Sequence, residues 1–507
     1  MKKTALILMV LTIVSKIVGF LRDVTLSYYY GTSGISDAYL ISLTIPVTIF
    51  SFVGTGLAIS YIPMYSRINR EFNIQRADRF TSSVINFLLM ICTLITFMGI
   101  IFAGPIVKLF ASGFEGETLN RAIQFTQISI VAVYFYGIIS IFKSYLQLKS
   151  SFVIPALAGI IPNLFVIFSI IISAKFDVIF LSIGTTIGVI IQLLYLIPFI
   201  RKEGYKYSFI FDTNDKYLKE IMYLSLPVIV GSSVDQINVL VDRTIASQIA
   251  TGGISALNYA NRLNLFIQGI FVASITTVIY PVISQMAAEK NISGLKKTLA
   301  EAISGISLLV LPATVGAMIF AEPIVKLLFG RGAFDYHAIY MTSYALYFFS
   351  IGMVGFGLRE VLTRAFYALQ DTKTPMINAT IAMVLNIVLN IILSRYLGIG
   401  GLALATSISA ILCTILLFIS LRKKIGAFGI KNLTISFCKI LTASIAMGLI
   451  AKYTFGTFTG SFSENISLIL SICISAVVYI IMIYFMKIGE VDSIASKIRV
   501  RFFKKFI

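Results

Sequence analysis

The segment FAGPIVKLF at residues 102–110 returns as FAEPIVKLL at 320–328, identical at seven of nine positions and 218 residues further on. Two more pairs keep this register to within one residue. RDVTLSYYYGTSGIS at 22–36 meets VDRTIASQIATGGIS at 241–255, pairing Asp23 with Asp242 and Thr25 with Thr244, and IPMYS at 62–66 meets YPVIS at 280–284. Shared membrane composition scatters similarities along a chain without holding an offset constant, so the sequence reads as an internal duplication.

The duplicated unit is apolar throughout. Of 507 residues, 58% are hydrophobic and 12% charged, about half the charge of a soluble domain. About 20 apolar residues cross a bilayer core. On that rule the chain offers fourteen candidate spans, the first over 4–30, the seventh over 222–249 and the last over 465–487. The expected fold is an all-α polytopic membrane protein. Six spans separate each residue from its repeat equivalent, an even number, so the two six-helix halves point the same way, the parallel-repeat plan of transporters with a central site. The expected organisation is an N-lobe over 1–200, a cytoplasmic linker over 201–221, a C-lobe over 222–421, and two extra spans with a basic tail over 422–507. Lys2-Lys3 and the apolar run after them imitate a signal peptide, but Ser15-Lys16 interrupts the run and no A-x-A site follows, so it reads as a retained first span.

Net charge is +19, from 41 Lys+Arg against 22 Asp+Glu. With the N-terminus inside, only Arg121, Lys175, Arg331, Arg395 and Lys452 fall in outer loops, which orients both termini to the cytoplasm. The basic loops then face anionic inner-leaflet lipids rather than nucleic acid. Cys92, Cys413, Cys438 and Cys473 lie in apolar runs without metal spacing and read as buried small hydrophobes. No G-x-x-x-x-G-K-[ST] loop is present, so a gradient or the membrane potential must supply energy. His337 has no metal-spaced partner, and no catalytic set is visible.

Charges inside spans are costly and mark wet cavities or partners. Lys108, Lys143, Lys326 and Lys439 can snorkel. Lys16, Arg22, Asp23, Asp37, Arg243, Arg262 and Arg359 are the candidate cavity residues. Lys16 and Asp23 are seven apart on one helix face, as are their repeat equivalents Asp235 and Asp242. An excess of guanidinium suits an anionic, phosphate-bearing substrate. Two alternatives stay open: Arg22 beside Asp23 and Arg243 beside Asp242 could be locally neutralised, and the whole set could be a salt-bridge network between lobes. Asp235, Asn386, Asn390 and Thr406 form an oxygen-rich set suited to Na⁺, although intramembrane Asn often only bridges helices.

SKIVGFLRDVTLSYYYGTSGISDAYLIS (15–42), LLFGRGAF (327–334) and REVLTRAFYALQDTKTP (359–375) resemble the MurJ (MviN) family of lipid II flippases, in the MOP superfamily that includes MATE exporters. The resemblance covers essentially the whole chain. It implies alternating access for undecaprenyl-diphosphate-linked peptidoglycan precursor in the bacterial cytoplasmic membrane, by a monomeric non-enzyme without cofactor. It also implies a lipid-tail groove that spans thirteen and fourteen help form. Lys16, Arg22, Asp23, Asp37 and Arg262 match the family's cavity positions. Asp235, Asn386, Asn390 and Thr406, with the Leu402 carbonyl, match its sodium site, making Na⁺ a candidate coupling ion. The sequence departs from the family where Phe50 and Ser51 stand for an arginine pair, Thr55 for a Glu, and Asn261 and Leu265 for an acid at each end of the span-eight motif. The alternative cargo is another polyprenyl-diphosphate-linked oligosaccharide; a MATE-like exporter is disfavoured by the basic cavity.

Overall fold

The computed structural model describes residues 2–209 and 215–486. Part of the expected linker, 210–214, and the tail after 486 lie outside the described residues. The chain forms two compact units, one of residues up to Ala256 with Arg331–Ala338, the other of Leu257–Gly330 with the chain from Ile339 onward.

In the first unit, α1 (Lys2–Tyr30), α2 (Gly34–Glu71) and α3 (Ile74–Ile101) are followed by the short α4 (Ala103–Phe110). Next come α5 (Gly116–Ser129) and α6 (Ala132–Leu148), bent by 43° at their junction, α7 (Val153–Ala158), α8 (Ile161–Ser173), α9 (Phe180–Lys202) and α10 (Lys216–Ile249). Local chemistry sets the starts. Ser33, Asn73 and Asp215 accept from the amides of Ser36, Arg76 and Tyr217 and so cap α2, α3 and α10. α10, which opens the second sequence repeat, packs along α2 of the first. The core beneath centres on fully buried Tyr61, Phe80 and Tyr145. Three of its phenols find hydrogen-bond partners: Tyr61 with Thr81 (2.7 Å), Tyr65 with Asp78 (3.0 Å) and Tyr205 with Ser82 (2.9 Å). Arg67 to Glu220 and Arg76 to Asp215, each 2.6 Å, tie α2 and α3 to the start of α10.

The second unit continues α11 (Gly253–Ile267) through a π-helical turn, Gln268–Val272, into α12 (Ala273–Ala288). Then follow α13 (Ile292–Ile319), α14 (Ala321–Phe329), α15 (Tyr336–Ala368), α16 (Lys373–Ile425), α17 (Ile430–Phe458) and α18 (Glu464–Phe485). The last two pair as a hairpin beside α13, with the Tyr479 hydroxyl donating to the Leu308 carbonyl at 2.7 Å. α16 has 53 residues and turns at Gly398, whose φ of 55° and ψ of −132° only glycine adopts easily. At 1.5 Å per residue it is long enough for two spans.

Among the described residues ten helices are long and apolar enough to cross a membrane, and the bent α5–α6 pair makes eleven. With α16 counted twice, and with α1 and α10 of sufficient length, the architecture is compatible with the fourteen expected spans. The duplicated nonapeptides form α4 and α14, each entered through a phenylalanine in the same backbone conformation: Phe102 at φ −100°, ψ 25° and Phe320 at φ −107°, ψ 25°. Both place a proline in the first turn, where its missing N–H costs nothing.

Three intramembrane lysines satisfy chain ends. Lys108 donates to the carbonyls of Phe114 (2.6 Å) and Ser112 (3.4 Å), Lys439 to that of Met486 (2.9 Å), and Lys326 pairs with Glu464. The cysteine expectation needs a correction. Cys92 and Cys413 are buried, but Cys438 and Cys473 are exposed on α17 and α18, because lipid accommodates an apolar side chain as well as protein does.

At the α15–α16 connection, Asp371 accepts from the Thr374 amide and hydroxyl and pairs with Lys424. Partial burial pushes its carboxyl up, but Lys424 and the Thr374 donors outweigh this and hold it at about 2. A depressed carboxyl stabilises the fold above its unfolded value near 4, and that contribution is lost as pH falls toward 2. Thermal unfolding between pH 6 and pH 3 should therefore fall less steeply in Asp371→Asn than in the parent; identical slopes would contradict this.

Candidate functional site

Arg22 is the candidate residue with the fullest set of side-chain partners in the first unit. Its Nε and Nη2 donate to Asp23 Oδ1 at 3.1 and 2.8 Å, and its Nη1 donates to Asn163 Oδ1 on α8 at 3.1 Å. Asn163 is itself oriented by donation to the Gly159 carbonyl (3.2 Å). Asp23 is 1% exposed and Arg22 20%. The open question of local neutralisation thus resolves for this pair: Arg22 is an oriented guanidinium whose charge is balanced by Asp23. Its planar fork keeps one edge for a further acceptor. Lys16, two turns earlier on the same helix, is exposed and carries no such balance. Asn163 was missed from sequence, its only signal being a polar residue directly after Pro162 in an otherwise apolar span.

The departures from the family pattern are filled by packing. The Phe50 ring lies over Gly54 and 6.1 Å from Tyr136, and the Ser51 hydroxyl returns to the Thr48 carbonyl at 2.7 Å. Thr48 in turn donates to Gln236 of α10 at 3.1 Å.

Asp37 has a different character. It is 1% exposed, and its two carboxylate oxygens accept the amides of Gly252 and Ser255, each at 2.8 Å. It therefore caps the N-terminus of α11 from outside, joining α2 of the first repeat to the start of the second repeat's second helix. Arg243 lies nearby and donates to the Ile254 carbonyl at 3.3 Å.

Around this cap the repeats exchange backbone contacts reciprocally. The Ala333 amide donates to the Tyr28 carbonyl at 2.8 Å, and the Gly113 amide to the Ser247 hydroxyl at 3.0 Å. A Cβ on Gly332 would meet Tyr28 O at 2.2 Å, and one on Gly113 would meet Ser247 O at 2.2 Å. Tyr28 and Ser247 are repeat equivalents, as are Gly113 and Gly332, both pairs 219 residues apart. The loop after each short amphipathic helix is thus pressed onto the end of the other repeat's first helix. Glycine is required because backbone meets backbone.

In the second unit, the turn at Gly398 folds α16 back on itself. A Cβ on Gly401 would lie 2.2 Å from the Leu393 carbonyl. This brings four residues of the expected cation set together: Asn390 donates to Asn386 Oδ1 (2.9 Å), Asn386 to Thr406 Oγ1 (3.3 Å), and Thr406 to the Leu402 carbonyl (2.9 Å). Asn386 and Asn390 are 2% and 0% exposed. The donors are neutral oxygens of amide, hydroxyl and backbone, a set that fits a hard cation. The side chain of Asp235, the fifth expected member, lies outside the described residues. Arg262 on α11 and Arg359 on α15 are both part-buried in this unit. The π-helical turn begins six residues after Arg262, held by Gln268 donating to the Met353 carbonyl at 2.7 Å; such turns concentrate at functional sites. Arg364 is committed elsewhere, to Glu360 (2.8 Å) and the Tyr280 ring (5.6 Å). No cluster of three or more His, Cys, Asp or Glu suited to a metal occurs among the described residues.

Comparison with known proteins places this arrangement. The family model described as "Lipid II flippase MurJ" matches residues 26–473. A probable lipid II flippase MurJ from Buchnera aphidicola subsp. Baizongia pistaciae is 30% identical over 456 residues, covering 88% of each chain. The lipid II flippase MurJ of Thermosipho africanus is 30% identical over 480 residues, covering 94% of this chain and 95% of its own. A solved lipid II flippase MurJ in an inward closed conformation superposes with a TM-score of 0.83 at 30% identity, over 94% of this chain and 98% of that one. An inward-facing MATE transporter of the MOP superfamily shares the fold alone, with a TM-score of 0.67 at 18% identity, over 83% of this chain and 94% of its own. Matched along nearly its whole length in sequence and in fold, the chain belongs to the MurJ family of lipid II flippases.

Proposed function

We propose that this protein carries lipid II from the inner to the outer leaflet of the bacterial cytoplasmic membrane by alternating access, as a monomer with both termini in the cytoplasm. The observation that carries the reading is 30% identity, over nearly full length, to relatives that bear that activity as their name. In this orientation the Asp37 cap and the two glycine contacts form the outer closure. Within the first unit Lys16 and Arg22 meet the diphosphate, with Arg22 held in register by Asp23 and Asn163. Asp37 and Arg243 serve the closure rather than the cargo.

A diphosphate moved outward carries two negative charges, for which an inside-negative potential of 100 mV supplies roughly 2 × 2.3 kcal/mol. Asn386, Asn390, Leu402 and Thr406 would hold a sodium ion, whose charge would favour one arrangement of the helices around it. Saturation to a hundredfold over Kd stabilises a fold by about 2.7 kcal/mol. The melting temperature of purified protein should accordingly rise with NaCl more than with choline chloride, and Asn390→Leu should remove the difference. Equal shifts from the two salts would exclude the site.

The deciding experiment is rescue of cells depleted of their own lipid II flippase. Rescue by wild type is the expected result. Failure to rescue, with another polyprenyl-diphosphate glycolipid accumulating in the source organism when this protein is removed, would transfer the mechanism to that cargo. Phe50 and Leu265, apolar where the family carries charge, are the residues that favour this second reading.

A further inference from the structure

A cleft lies wholly within the first unit, away from the residues assigned above. It has a volume of about 660 Å³ and opens among α3, α6, α9 and the strap Gly204–Tyr207 that leaves α9. This is the size of a ligand-binding cleft, for which roughly 300–1,000 Å³ is usual. Its wall is hydrocarbon, from Leu89, Phe142, Leu193 and Ile197 among others. Its mouth carries Arg201 and Lys206, both exposed and neither in an ion pair among the described residues.

The strap is fixed in place. Tyr205 is 4% exposed and shares a hydrogen bond with Ser82, Tyr207 donates to Asn86, and the Ser208 amide donates to Ser82 at 3.3 Å. Two cations are therefore held at the rim of an apolar slot, with the half-exposed Tyr207 ring beside them in the manner of an interfacial anchor. The basic run that ends α16 differs: there Lys424 is spent on Asp371.

We infer that this cleft binds one anionic phospholipid of the inner leaflet, with an acyl chain lying in the slot and its phosphate between Arg201 and Lys206. Charge complementarity selects the occupant. Hydrocarbon alone gives no preference in a bilayer, where lipid tails match the wall everywhere, whereas two cations without partners at the headgroup level discriminate for an anion. The inference rests on the orientation proposed above, which puts this end of α9 at the cytoplasmic face. Its test involves no flipping, so the two readings fail separately.

Native mass spectrometry of delipidated protein, given phosphatidylglycerol or phosphatidylcholine with the same acyl chains, reads the site directly. The expected result is a roughly thirtyfold preference for phosphatidylglycerol, the order that two cations at a membrane surface supply. Arg201→Gln with Lys206→Gln should abolish that preference, and Leu193→Trp should lower retention of both lipids by filling the slot. Lys423→Gln, at the basic end of α16, should change nothing. Equal retention of the two lipids by wild type, or an undiminished preference in the double variant, would overturn the inference. Displacement of phosphatidylglycerol by an equal concentration of lipid II would also overturn it, by assigning the cleft to the cargo.

Discussion

Gly332→Val is expected to abolish rescue of flippase-depleted cells while leaving membrane insertion intact. Gly332 has a φ of 63°, and a Cβ there would stand 2.2 Å from Tyr28 O and 2.9 Å from its ring. A β-branched residue in that conformation costs on the order of 1–3 kcal/mol from the backbone alone, before the clash pushes the loop away from α1. The Ala333 amide to Tyr28 carbonyl bond would go with it. Gly113→Val should behave alike, because it breaks the reciprocal contact at Ser247. Gly456→Val, where a side chain meets nothing within 4 Å, is the matched control. If Gly332→Val rescued as well as that control at equal expression, the outer closure would not depend on this contact.

Arg22→Ala should also eliminate rescue, and here two causes must be separated. Removing the guanidinium leaves the Asp23 carboxylate, 1% exposed, without its charge partner; breaking a buried pair in this way typically costs about 3–5 kcal/mol. A loss of activity could then be a loss of folded protein. The Arg22→Ala, Asp23→Ala double variant distinguishes them, since it removes both charges and should recover most of the thermal stability. Under the cargo assignment it still fails to rescue. Arg22→Lys should fold yet flip poorly, because an ammonium cannot bond Asp23, Asn163 and a phosphate oxygen in one plane. A double variant that rescued as wild type would reduce Arg22 to a structural ion.

Parts of this were legible in advance. The constant offset between 102–110 and 320–328 depends only on residue identity, and its structural counterpart is the matched backbone at Phe102 and Phe320. The i, i+4 spacing of Asn386 and Asn390 announced a shared helix face, and the two are hydrogen-bonded. Asn163 was not legible, because its importance lies in meeting Arg22 across 141 residues of chain. The cap made by Asp37 was also hidden, because an acid at the start of a span gives no sign of a helix end 215 residues away.

The sequence by itself determined that the chain is a multi-span, all-α membrane protein with an internal repeat. Hydrophobic span length, charge asymmetry and a repeat offset are one-dimensional properties, and the bilayer converts them into topology without reference to packing. Only the tertiary structure decided which intramembrane charges are balanced, which cap a helix, and where glycine is obligatory. Those distinctions depend on which backbone carbonyl, amide or side chain lies within about 3 Å, and a linear pattern carries no record of distances between residues far apart along the chain.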